Sequence, residues 1–165
     1  MGWQITPLPG GLGEWKVPWD GLSQRLYGGH PFGDARFVDA LLRCFGKGSE
    51  QLCIHRSGEK IDGLLILHRR RAGLWSQFVP DQAQAAPALL ENAGLLKSLF
   101  AALPGHTWCI ELLCQDPLFS PPGLLQEGAT SLLLPHALTM NIELQGSFEG
   151  YWENRSKNLV KNMRR

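Results

Sequence analysis

The sequence predicts an α/β domain built on one mixed, largely antiparallel sheet flanked by helices. Three observations lead there. Apolar stretches of strand length are interspersed with helix-length segments along the whole chain. The clearest local signal is a hairpin, residues 52–55 and 61–68 joined by Ser57-Gly58-Glu59-Lys60. Nineteen glycines and eleven prolines punctuate the 165 residues, which implies many turns and modest helix content.

The elements follow in order. Residues 3–6 read as a first strand, ended by Pro7-Leu8-Pro9-Gly10-Gly11. Residues 19–27 form a short helix closed by Gly28-Gly29-His30-Pro31. Asp34 is an N-cap before Phe37, Val38, Leu41, Leu42 and Phe45, which recur at helical spacing, and Gly46 and Gly48 stop that helix. After the hairpin, Arg69-Arg70-Arg71-Ala72-Gly73 reads as a surface turn, with a phosphate or partner site at the arginines as the alternative, and leads to a strand at 74–79. Pro87 is expected to start a helix striped by Leu89, Leu90, Leu95, Leu96, Leu99 and Phe100 and ended by Pro104-Gly105. Residues 107–113 are an apolar strand expected at the centre of the sheet. A loop with one helical turn follows, then strands at 131–135 and 139–144 and a helix over 147–165, making seven strands in all.

Length and composition narrow the class. One domain is expected, large enough to bury a core without disulfides or a metal. With 44% apolar and 19% charged residues, the chain is not disordered, collagenous or coiled-coil. No apolar run reaches the ~18 residues of a spanning helix, and the start lacks the pattern of a signal peptide. The expectation is a soluble cytoplasmic protein with no transmembrane segment. Charge is uneven: residues 1–152 hold 11 Lys/Arg against 14 Asp/Glu, a net of −3, and residues 153–165 hold five against one, a net of +4. That balance argues against a nucleic-acid partner and leaves only the tail to meet an anion.

Candidate chemistry is sparse. The cysteines (44, 53, 109, 114) lack zinc-site spacing and read as buried apolar thiols, with 109 and 114 on opposite faces of a strand. Cys53 and His55 share a face but would need two more ligands for a metal. The histidines (30, 55, 68, 106, 136) read as surface or strand-end residues. Asp116 reads as an Asx-type turn before Pro117. No nucleophile elbow, zincin or P-loop motif occurs, so catalytic residues are not identified. The final helix carries an apolar stripe of Phe148, Trp152, Leu159 and Met163, with Arg155, Lys157 and Lys161 making it basic.

The order of elements is that of the GNAT acyltransferase fold, and the stretch from Thr139-Met140-Asn141-Ile142-Glu143-Leu144 through Arg155-Ser156-Lys157-Asn158-Leu159-Val160-Lys161-Asn162-Met163-Arg164-Arg165 resembles the hallmark of GNAT-like proteins of the CelD type. These are associated with cellulose and exopolysaccharide biosynthesis and are similar to the FemAB aminoacyltransferases in having tandem GNAT-like halves. Pro31-Phe32 leading to the helix ended by Gly46, and Ile61-Asp62-Gly63, look like two further stretches of that family. His30 and Val160 depart from its usual Asn and Arg.

The resemblance implies an N-terminal GNAT-like domain at 1–146 and a basic amphipathic helix at 147–165 leading into a second GNAT-like half. It implies acetyl-CoA or another acyl-CoA as donor for the full-length protein and a small-molecule or sugar-type acceptor, with Arg155, Lys157 and Lys161 as substrate-binding residues. No cofactor is expected on this half. The family's pyrophosphate loop is glycine-rich, whereas residues 80–87, ahead of the helix expected from Pro87, contain no glycine. The alternative is a stand-alone, non-catalytic GNAT-like binding module that uses the basic helix.

Overall fold

Among residues 2–126, 130–134 and 147–153, which the computed structural model describes, six segments pair into one sheet. They are β1 (Gly2–Pro7), β2 (Gln51–Ser57), β3 (Lys60–Arg71), β4 (Leu74–Gln77), β5 (Leu89–Leu90) and β6 (Cys109–Glu111). The order is β1-β2-β3-β4-β6, with β5 also beside β3. All pairings are antiparallel except β4 with β6. The helices of this part are α1 (Lys16–Tyr27), α2 (Ala35–Phe45) and α3 (Leu95–Ala102). The chain divides into two compact units, Met1–Leu134 and Pro135–Arg165. In the second, α4 (Phe148–Glu153) is described, and Ser147 Oγ accepts from Gly150 N at its start.

Period-two alternation sends the sheet's side chains into two cores. Leu52, Ile54, Leu64 and Ile66 pack with Trp19 and Leu22 of α1 and Val38 and Leu42 of α2. Cys53, Leu65, Leu67 and Trp75 pack with Leu99 of α3 and with Leu103. Burial pushes the Cys53 thiol up to about 12, so it behaves as a small hydrophobe.

The hairpin forms as expected, with Leu52 opposite Ile66 and Ile54 opposite Leu64, and Gly58 takes φ +66° in the turn. Asp34 caps α2 by accepting from Arg36 N (2.8 Å) and Phe37 N (3.4 Å). The Arg36 side chain, bonded to the same carboxylate, holds it down to about 2. α1 begins at Lys16, three residues earlier than expected, and tolerates Pro18 in its first turn, where no intrahelical N–H is required. Buried Asp39 ties this entry to α2: it accepts from Leu12 N (2.9 Å), Lys16 Nζ (2.8 Å) and Arg43 Nε (2.9 Å).

Several expectations are corrected. The run from Pro87 is not one helix: Leu89 and Leu90 are extended and fully buried against Gly63 and Leu64, and the helix starts only at Leu95. A short apolar run fits either a buried strand or a helix, and the free edge of β3 decides for the strand. Arg69, Arg70 and Arg71 are not the turn. They continue β3 past a bulge, and Ala72-Gly73 turns the chain. The strand expected at the centre over 107–113 shrinks to Cys109–Glu111, lies at the end of the strand order and is only half-buried.

Cys114 is therefore off the strand, in a left-handed conformation (φ 52°), and Cys44 is exposed. Residues 132–134 are exposed coil instead of strand. The strand expected at 139–144 lies outside the described residues.

Candidate functional site

Sheets with parallel strands tend to admit ligands beyond the carboxyl ends of those strands. β4 and β6 are the parallel pair, in register from Leu74–Cys109 to Ser76–Glu111. Beyond that point the chain fills its own opening. Gln115 Nε2 lies 2.7 Å from Gln77 Oε1, 2.7 Å from Ala86 O and 2.8 Å from Leu113 O, more acceptors than its two protons can serve at once. Gln77 Nε2 also donates to Ala86 O (3.0 Å), and Ala88 N donates to Gln115 Oε1 (3.2 Å).

These bonds press residues 78–88, an excursion between two strands on the same edge of β3, back over the sheet. Under them lies a cavity of about 30 Å³ lined mainly by Trp19, Phe32, Phe78, Ala83 and Pro87, with Gln77 as its polar group. That volume holds a single water or methyl group.

Burial lowers the pKa of His30, with Asp116 partly opposing it. His30 Nδ1 accepts from Phe32 N (3.1 Å), and its ring meets Phe119 edge-on at 4.3 Å. Asp116 accepts from Leu118 N (2.9 Å), the Asx-type role expected for it. Tyr27 donates to Ala88 O (2.6 Å), and burial raises its pKa, so it stays a donor at any ordinary pH.

The segment that leads into α3 is Glu91-Asn92-Ala93-Gly94, not the glycine-free 80–87. A glycine is thus present, yet the backbone amides are engaged. Leu95 N, Leu96 N and Lys97 N donate to Asn92 O (3.4 Å), Ala93 O (3.1 Å) and Gly94 O (3.2 Å). An anion at a helix start needs such N–H groups free and pointing at it. This helix closes them in tight three-residue turns.

A second polar cluster, missed by the reading of every histidine as surface or strand-end, sits across the hairpin. His55 and Asp62 are both buried, with His55 Nδ1 2.5 Å from Asp62 Oδ1, and Ser57 Oγ donates to Asp62 Oδ2 (2.6 Å). Burial alone would raise the Asp62 pKa, but the bonds from Ser57 and His55 outweigh it and hold the group ionised. The Asp62 carboxylate can accept from His55 Nδ1 in the tautomer that carries its proton there.

Trp3 packs on the His55 ring (centroids 5.1 Å apart) and its Nε1 donates to Leu95 O (3.1 Å) and Ser98 Oγ (3.0 Å) of α3. Gly63 makes that possible: a Cβ there would lie 3.1 Å from Trp3, His55 and Leu90 at once. The hairpin was legible in the sequence, but counting back from its turn places residue 55 opposite 62, and a bulge between His55 and Arg56 moves it opposite 63.

His30 is likewise buried, contrary to the surface reading. No group of three or more His, Cys, Asp or Glu side chains among the described residues could hold a metal ion. No helix among them is long and apolar enough to cross a membrane. Arg155, Lys157 and Lys161 lie outside the described residues. Comparison of the chain with family models, with curated proteins and with solved structures gives no match.

Proposed function

We propose that the chain is the N-terminal, non-catalytic half of a GNAT-family acyltransferase of the CelD type, acting in polysaccharide or cell-envelope biosynthesis. The observation that carries this reading is topological. Among the described residues the sheet is otherwise antiparallel, and its one parallel pair, β4 and β6, is joined by a crossover that holds the short β5 and then α3, after an α1-α2 pair and a three-strand meander. That order is the one the residue resemblance implies.

The division of labour rests on two features. The α3 amides are engaged with Asn92, Ala93 and Gly94, and the Gln77–Gln115–Ala86 bonds occupy the space beyond β4 and β6. Acyl-CoA would therefore bind on the second half. There an acceptor amine or hydroxyl attacks the thioester carbonyl, the acyl–oxygen or acyl–nitrogen bond forms, and the CoA thiolate leaves and takes up the acceptor's proton. Arg155, Lys157 and Lys161 would line the cleft for an anionic or sugar-type acceptor.

Calorimetry tests the division. Acetyl-CoA titrated into this 165-residue chain should give no binding heat, and the same titration into a polypeptide extended by the following coding sequence should give binding. Micromolar binding to the short chain overturns it. A coding sequence that stops at codon 165 favours the stand-alone module instead. In an active extended protein, Lys157→Gln with Lys161→Gln should raise the acceptor KM by about tenfold or more and leave the donor KM unchanged. Unchanged acceptor kinetics removes both lysines from the site.

A further inference from the structure

The two ends of the strand order differ. β6, at one end, pairs with β4 through three residues only. β1, at the other, pairs with β2 through six, from Gly2 opposite Arg56 to Pro7 opposite Gln51, with no register shift. Its outer edge is bare. Among the described residues, no backbone hydrogen bond of Gly2–Pro7 runs anywhere but to β2.

An edge strand points alternate N–H and C=O groups outward, a ready template for another strand. Proteins blunt such edges with charged side chains, bulges or a proline within the strand. β1 has none of these. Gly2-Trp3-Gln4-Ile5-Thr6 carries no charge, and the proline stands at the strand's last position. Trp3, Ile5 and Thr6 favour extended structure. The strand is also held in place: Trp3 Nε1 donates to Leu95 O (3.1 Å) and Ser98 Oγ (3.0 Å), and Trp3 and Ile5 pack on the core that Leu99 fills. It presents a fixed edge instead of a fraying terminus.

We propose that β1 is a dimer interface, pairing antiparallel with β1 of a second copy across a two-fold axis. The strand's own residues select that partner. Directly opposed residues in an antiparallel pair have the same hydrogen-bonding orientation, so a strand meeting its copy aligns residues of like parity. The register that uses all of residues 2–6 and leaves Pro7, which lacks an N–H, outside the ladder is centred on Gln4.

That register sets Trp3 beside Ile5 of the second copy, Gly2 beside Thr6, and Gln4 beside its own counterpart. Aromatic and β-branched residues are favourable cross-strand neighbours, and Trp3 and Ile5 are each only half-buried within one copy. No like charges meet anywhere in the row. A foreign strand would find no charge on this edge to select it, whereas the two-fold pairing covers both bare edges at once. The acyltransferase reading makes no use of β1, so the two stand or fall separately.

Sedimentation of the full chain between about 2 µM and about 200 µM tests the interface. Five residues a side make a small contact, so the wild type should be monomeric at the low end and dimeric at the high end. Gln4 is exposed, so a charge there leaves the fold undisturbed. Gln4→Lys and Gln4→Glu, each alone, set like charges opposite each other and should weaken the dimer at least about threefold with an unchanged melting temperature. The two variants mixed set unlike charges opposite and should associate at least about tenfold more tightly than either alone. A wild type that stays monomeric throughout overturns the proposal. So does a dimer that both single variants retain unweakened, or a mixture that associates no more tightly than its components.

Discussion

β3 is flanked by two arrangements built on different principles. On one side, β1 and β2 pair over six residues and β2 and β3 over seven, and the polar chemistry is drawn inward: His55 and Ser57 both bond Asp62, and Trp3 ties the outer strand to α3. On the other side the edge of β3 is shared by β4 and the two-residue β5, and β6 joins β4 through three residues. There the stability comes from carboxamides spanning a gap. Long registered pairing fixes side chains by the pleat alone, whereas short pairing needs individual polar contacts to hold it.

The largest effect that follows is in the core. Leu64 is fully buried in β3, and Ile110 is half-buried in β6. Leu64→Ala should destabilise by about 2–5 kcal/mol. Ile110→Ala should cost on the order of 1 kcal/mol, because less apolar area leaves water there on folding. Urea unfolding of both variants measures the difference. Equal costs would mean that the β6 side is as firmly packed as the hairpin side.

A smaller effect distinguishes the sealed cluster by pH. The Asp62 pKa is lowered in the folded chain, so its contribution is present above the unfolded carboxylate value, about 3.9, and is lost as pH falls through the folded value. The wild type should therefore lose stability as pH falls below that unfolded value. Asp62→Asn should be less stable at pH 7, by about 1–3 kcal/mol for the bonds it breaks, and lose less across the acid range. Parallel acid slopes for the two proteins would assign the acid sensitivity to other carboxylates, with Asp39 the first to test, since burial raises its pKa but the bonds from Lys16 and Leu12 outweigh this and leave it lowered.

The same contrast explains what the sequence revealed. The hairpin, the Asp34 cap and the α2 stripe were legible because each is written in local spacing. The split of the 87–103 run was not. Leu89 and Leu90 become a strand only because Gly63 and Leu64 leave an unpaired edge beside them, a non-local fact. The Gln77–Gln115 bond joins residues 38 apart by two glutamines that no motif marks. The His55–Asp62 pair lies between these cases: the hairpin that brings them near is written in local spacing, but the bulge between His55 and Arg56 that sets their register is marked by no motif. The resemblance drew attention to Asp62-Gly63, and the structure gives both residues a local task, one as acceptor for His55 and Ser57, the other as the space beneath Trp3.

The smallest expected effect tests whether any long-range charge holds β6. Arg70 Nη1 and Glu111 Oε2 are 2.9 Å apart, and the two side chains are 55% and 32% exposed. At that exposure, the cost of ordering two long side chains nearly cancels the Coulomb attraction. A double-mutant cycle with Arg70→Gln and Glu111→Gln should give a coupling of about 0.2–1 kcal/mol, falling further at 1 M salt, where the Debye length drops to about 3 Å. Replacing Gln115 by Ala should cost more than breaking this ion pair, because it removes the groups that bond the Ala88 N–H and Gln77 Oε1 in a part-buried site. A coupling well above 1 kcal/mol that survives salt would reverse the ranking and make the ion pair, not the carboxamide filling, the main tether of the β6 side.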